Sequence, residues 1–172
     1  MNLSKPSELK EILARHGFSF SKSLGQNFLI DNNILDKIVN AADISKNDFV
    51  LEIGPGAGTL TRCLAKTGAK VVAVEIDKAL IPVLSETMAE FESFKLINND
   101  ILKVDLKELC ETEFGGNSFH VIANLPYYIT TPIVMKLLED NLEIESITIM
   151  IQKEVADRLI ETPGGKNTGA IT

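Results

Sequence analysis

One glycine-rich turn and three side chains in this 172-residue chain are spaced so that they can share a ligand. The turn is Gly54-Pro55-Gly56-Ala57-Gly58, entered from Leu51-Glu52-Ile53. Glycines there permit a tight strand-to-helix turn and let a ligand lie on bare backbone beside the positive end of the next helix. The spacing is Gly-x-Gly-x-Gly, whereas dinucleotide binders use Gly-x-Gly-x-x-Gly. Pro55 also removes one N–H from a loop that would otherwise cradle a phosphate. A ligand without phosphate fits better. Glu75, 21 residues after Gly54, ends an apolar run and can accept both hydroxyls of a ribose. Asp100 follows the next apolar run and can accept a hydrogen bond from an adenine amino group. Taken singly, each is a plain turn or a solvated acid. Together, at the carboxyl ends of consecutive parallel strands, they lie on the rim where open α/β sheets bind ligands, and they favour a nucleoside.

Asn124-Leu125-Pro126-Tyr127-Tyr128 follows a fourth apolar run. It suits chemistry on an amino group whose lone pair is delocalised into an aromatic ring. A site that methylates such a nitrogen holds it with acceptors and places no positive charge beside it. The Asn124 side-chain carbonyl and a main-chain carbonyl near Leu125 can each accept one amino hydrogen, which aims the lone pair at an incoming methyl group. Pro126 fixes the turn, and the ring of Tyr127 can stack on an extruded base. No strong general base is needed, because the amino proton becomes acidic once the methyl has transferred. Alignment and exclusion of water carry the rate. Half-buried packing is the simpler reading of the two tyrosines.

Positioning these groups requires strands and helices in alternation. The pattern predicts strands at Phe49–Ile53, Lys70–Glu75, Lys95–Asn98, His120–Ala123 and Ser146–Ile151. Helices are expected at Ser7–His16, after an Asp31 N-cap, and at Thr59–Lys66, Lys78–Phe91, Leu106–Cys110, Pro132–Glu139 and Lys153–Glu161. Pro82 and Pro132 are placed near helix starts, where a missing N–H is harmless. Short strands rich in Val and Ile, separated by helices, imply βαβ units with both sheet faces covered. The fold class is therefore a doubly wound, mostly parallel α/β sheet. Residues 1–48 read as a helical arm and cofactor-covering segment, and residues 49–172 as the Rossmann-like core. The tail from Thr162 to Thr172 reads as a loop entering a further strand, so the sheet is expected to be incomplete.

Composition narrows the class. Hydrophobic residues make up 45% and charged residues 24%, enough apolar material for one buried core. No apolar run is long enough to span a membrane, and the polar stretch Met1–Lys10 is unlike a secretory signal. Cys63 and Cys110 have no paired spacing and read as small hydrophobes in a reducing cytoplasm. His16 and His120 have no metal-like partners and are read as structural, and no metal is expected. The net charge of −7 is the wrong sign for a protein that grips nucleic acid with its whole surface. The first thirty residues run the other way: Lys5, Lys10, Arg15 and Lys22 against Glu8 and Glu11. Phe18, Phe20 and Phe28 interleave with Lys22 and Gln26, either as an RNA-contacting arm or as packing of that arm on the domain.

Four ordered segments carry a resemblance over nearly the whole chain, from about Phe20 onward. They are Ser23-Leu24-Gly25-Gln26-Asn27-Phe28-Leu29, Glu52 to Gly58, Asn124 to Tyr127, and Gln152-Lys153-Glu154-Val155-Ala156. The chain resembles the ribosomal RNA adenine dimethyltransferases, in particular their small-subunit class. The resemblance implies S-adenosyl-L-methionine as cofactor and a monomer acting on rRNA in the assembling small ribosomal subunit. It implies two methyls on each of two adjacent adenosines near the 3′ end. In that scheme Asn27 and Leu29 contact the methionine end, Gly54 lies beneath the cofactor, Glu75 holds the ribose and Asp100 the adenine. Asn124 serves both the methionine side and the target amine, and Tyr127 stacks on the target base. The family continues into further strands and a smaller helical RNA-binding domain that this sequence does not include, which also accounts for the acidic balance. Three other readings compete. Leu125, where a DNA adenine methyltransferase would carry proline, speaks against that enzyme. A noncatalytic assembly factor has no need of Glu75, Asp100 and Asn124. The glycine spacing disfavours a nicotinamide-dependent oxidoreductase.

Overall fold

Side chains alternate along the three buried central strands and their two half-buried edge strands, and so divide the core into two halves, one on each face of a single sheet. The computed structural model describes residues 2–18, 28–151 and 156, with only the backbone of Tyr127. The strands are β1 (Phe49–Ile53), β2 (Lys70–Glu75), β3 (Phe94–Asn98), β4 (Phe119–Asn124) and β5 (Ile144–Met150). Their order is β3-β2-β1-β4-β5 and every pairing is parallel. Val50, Val71 and Ile122 face one way, into a layer built by α1 (Pro6–Arg15), α2 (Asn32–Ala42), α3 (Thr59–Lys66) and α4 (Ile81–Thr87). Leu51, Ile53, Val72, Val74, Val121 and Ala123 face the other, against α5 (Leu106–Phe114) and α6 (Tyr127–Glu139). This is the doubly wound arrangement that the alternation implied.

Helix ends explain most differences from the sequence reading. Asp31 caps α2 as expected, accepting from the Asn33 N–H at 2.9 Å. The helix expected over Lys78–Phe91 is instead a 3-10 turn at Lys78–Leu80 followed by α4, which ends at Thr87. The Asp77 side chain caps the turn through the Ala79 N–H at 2.9 Å. At the other end the buried Arg62 guanidinium donates to the Thr87 carbonyl and to Glu90. An outside donor thus takes a carbonyl the helix would otherwise have to satisfy itself. α5 runs on to Phe114, stopped by Gly115 in the left-handed conformation (φ 62°). α6 begins five residues before Pro132, so that proline lies inside the helix rather than at its start. Pro126 occupies the N-cap with φ −58°, and the Thr130 hydroxyl adds a 3.1 Å bond to its carbonyl in the first turn. The helix expected at Lys153–Glu161 and the tail beyond it lie outside the described residues, save Ala156.

Cys63 packs beside the first core half and Cys110 within the second, so the sheet separates the two thiols. Burial pushes both thiols up, Cys110 to about 11. His120 sits at the start of β4, the sheet end remote from the glycine turn, with Nδ1 2.8 Å from the Ser146 hydroxyl on β5. Among the described residues no helix is long and apolar enough to cross a membrane, and no cluster of ligating side chains could hold a metal.

Candidate functional site

In this strand order the chain reverses direction of assembly between β1 and β4, and their carboxyl ends open a crevice. Gly54 follows β1 with φ 71°, and its N–H continues the ladder to the Val74 carbonyl at 3.0 Å. A side chain at Gly54 would stand 3.8 Å from Leu125, which follows β4. The glycine turn and the Asn124-Leu125-Pro126 turn are therefore neighbours across the switch point. Between and beside them lies a cavity of about 630 Å³, within the usual range for small-molecule sites. Leu29, Gly54, Glu75, Asp100, Asn124, Leu125 and Pro126 all line it, so seven of the nine sequence-derived site residues converge. Asn27 and the ring of Tyr127 lie outside what the structure describes.

Each group has a local reason for its place. Gly58 ends the turn with φ 90° and starts α3. A Cβ there would stand 2.8 Å from the Thr87 hydroxyl and 3.3 Å from Leu84. Gly58→Ala is accordingly expected to destabilise the domain by about 2–4 kcal/mol, combining left-handed strain with overpacking. Urea unfolding would show this as a lower midpoint at an unchanged slope.

Glu75 ends β2, only 5% exposed, and holds the turn in place. Its Oε2 accepts the Gly56 N–H at 3.2 Å and its Oε1 the Asp77 N–H at 2.9 Å. Burial raises its carboxyl above the ordinary range, and the two backbone donors oppose that rise. Each oxygen has a further lone pair, so the carboxylate can still accept hydroxyls from a ligand. Asp100 caps the 3-10 turn Ile101–Lys103, accepting the Leu102 N–H at 3.0 Å, and leaves its other oxygen 3.8 Å from Lys103 Nζ. Asn124 is the last residue of β4, half-buried and in register with Met150.

Two residues matter that the sequence reading did not place in the site. Glu52 points from the middle of β1 into the first core half, 1% exposed, and borders the cavity. Burial drives its carboxyl up to about 8; the Thr61 hydroxyl opposes that rise, and the nearby Glu75 charge adds to it. The Thr61 hydroxyl is close enough to favour the carboxylate, yet not placed for a hydrogen bond of normal geometry. Glu52 Oε2 and Thr61 Oγ1 are thus both buried without a partner. A charged residue within Phe49-Val50-Leu51-Glu52-Ile53 was the available signal. The second is Phe28, whose ring carbons lie 3.3 Å from where a Gly56 Cβ would be. Phe18 meets it edge to face at 5.9 Å, so these two rings pack on the domain. Phe20 is outside the described residues.

Comparison with known proteins gives a consistent picture. The family model described as "Ribosomal RNA adenine dimethylase" matches residues 17–172. A ribosomal RNA small subunit methyltransferase A from Alkaliphilus oremlandii is 54% identical over 99% of this chain and 59% of its own length. The protein of the same name from Clostridioides difficile is 51% identical over the same shares. The crystal structure of a dimethyladenosine transferase from Plasmodium falciparum superposes with a TM-score of 0.71 at 30% identity, covering 84% of this chain and 50% of that one. The chain spans about 59% of the length of the curated relatives it matches.

Proposed function

The chain belongs to the ribosomal RNA adenine dimethylase family, and from that premise we propose that it carries the cofactor-binding and catalytic part of an rRNA adenine-N6,N6-dimethyltransferase. The cofactor is S-adenosyl-L-methionine, which supplies an electrophilic methyl group. The substrate is small-subunit rRNA in the assembling subunit, and the products are two adjacent dimethyladenosines near its 3′ end. One observation carries the reading: Gly54, Glu75, Asp100 and Asn124 line a single cavity at the switch point of the sheet.

The residues present fit such a cofactor. Gly54 leaves bare backbone beside the cavity, and Glu52, which borders it, carries a buried Oε2 without a partner. Glu75 holds the ribose hydroxyls and Asp100 the adenine amino group, while Leu29 and, before it, Asn27 meet the methionine end. Asn124 accepts a hydrogen of the target amine and the Leu125 main-chain carbonyl another. Pro126 sets the angle of that turn, and the Tyr127 ring stacks on the base. The proton leaves to solvent after transfer, so alignment and water exclusion dominate the rate. Residues 1–48 act as an arm that covers the cofactor, and residues 49–172 form the Rossmann-like core. The family's helical domain adds the RNA grip that an acidic core lacks.

The test uses the full-length protein with S-adenosylmethionine and undermethylated small ribosomal subunits, followed by mass spectrometry of the digested RNA. Dimethyladenosine is the expected product. No methylated adenosine, with cofactor still bound, would overturn the proposal and leave an assembly factor without turnover.

A further inference from the structure

We propose that Glu86 on α4 is a positioning residue for cofactor binding, a clip that fixes the end of the N-terminal helix so that Phe18 holds Phe28 over the glycine turn. The inference rests on the cofactor reading above. Leu9, Ile12 and Leu13 bury one face of α1 on the first core half and dock the helix. Ile12 and Leu13 already seat its last turn, and the open side of that turn, at Arg15 and His16, is held by Glu86. Glu86 Oε1 lies 2.9 Å from the Arg15 guanidinium and Oε2 lies 2.6 Å from His16 Nε2. Both partners are at the carboxyl end of α1, where the Arg15 guanidinium also suits the helix dipole.

From there the chain is steered by backbone. Gly17 adopts φ 65° and the Phe18 N–H bonds back to the Leu13 carbonyl at 2.9 Å. This left-handed exit aims Phe18 at Phe28, with ring centroids 5.9 Å apart and planes at 71°. Phe28 in turn covers Gly56, whose N–H is the one held by Glu75. The same helix reaches the turn from its other side, because Thr87 and Leu84 are the atoms closest to Gly58. α4 therefore grips the glycine turn through Leu84 and Thr87 and the arm over it through Glu86. An ion pair as exposed as this one adds little to global stability. Its effect is local: it selects one placement of a cavity-lining ring, and a preorganised wall raises affinity without new contacts.

The experiment measures S-adenosylhomocysteine binding by calorimetry in the full-length protein and steady-state rates with S-adenosylmethionine. Glu86→Ala should weaken binding of the product cofactor about 5- to 10-fold and raise KM for S-adenosylmethionine by a similar factor, with kcat unchanged. In ligand-free protein labelled with 4-fluorophenylalanine, the resonance assigned to position 28 should move in the same variant. Glu86→Arg should behave alike, and adding Arg15→Glu should recover most of the affinity. Equal binding by wild type and Glu86→Ala overturns the clip, as does a loss of kcat together with a lowered Tm. Failure of the unaltered protein to bind S-adenosylhomocysteine overturns the cofactor reading and the clip with it.

Discussion

Asn124→Ala is expected to lower the single-turnover rate of methyl transfer by about 10²–10³-fold, the usual effect of deleting one preorganised polar group at a reacting centre. The size follows from how firmly the position is held. Asn124 closes a strand paired on both sides: Ala123 is in register with Ile53 and with Ile149, and Asn124 itself with Met150. Pro126 then fixes the backbone that follows, with φ −58°. Without that acceptor the target amine is expected to keep its planar, unreactive geometry. Truncation of a half-buried strand-end side chain leaves the core intact, and unfolding stability should change by less than about 1 kcal/mol. Rapid-quench assays on undermethylated subunits measure the rate, and S-adenosylhomocysteine titration measures binding separately. A rate within threefold of wild type would remove Asn124 from the chemistry.

Asn124 could be placed on the rim of the cavity without a structure because its signal is local. Turn residues, glycine spacing and carboxylates at strand ends are properties of a few consecutive positions, and parallel βαβ topology brings successive strand ends to one rim. The same logic placed Asp31 as a cap and the five strands to within two residues at either end. What stayed hidden depends on partners far apart in sequence. α4 stops at Thr87 because Arg62, 25 residues earlier, takes its terminal carbonyl. Pro132 looked like a helix start, since nothing nearby shows that Pro126 has already fixed one. Gly115 was the exception, a local stop signal that the shorter reading of α5 passed over. Phe28 is legible as an aromatic in a basic arm, but only the fold shows that its ring rests on Gly56. Glu52 stood in plain view inside an apolar strand, and its environment is set by Thr61 on the next helix and Glu75 on the next strand.

That environment gives the second large effect. Glu52 titrates near 8 in the folded domain against an ordinary value of 4.5, chiefly because burial disfavours its charge. Below pH 4.5 the side chain is protonated whether the chain is folded or not, and its contribution to stability is at its greatest. Between 4.5 and 8 the unfolded chain ionises while the fold retains the proton, so stability falls by about 1.4 kcal/mol per pH unit. Above 8 the slope from this residue vanishes, after a total loss on the order of 4–5 kcal/mol. Glu75, also raised by burial, adds slope of the same sign, whereas Asp48 is lowered, mainly by the Ser45 N–H, and acts only under more acidic conditions. Glu52→Gln keeps the shape and removes the ionisation. Urea unfolding at pH 5 and at pH 8 should then show the variant close to wild type at the lower pH. At the higher pH it should be more stable by several kcal/mol, the residual slope belonging to Glu75. A wild type with no such fall would mean that Glu52 is ionised inside the fold. Its orphaned oxygen would then need a donor, and the cavity that Glu52 borders is a place from which one could come.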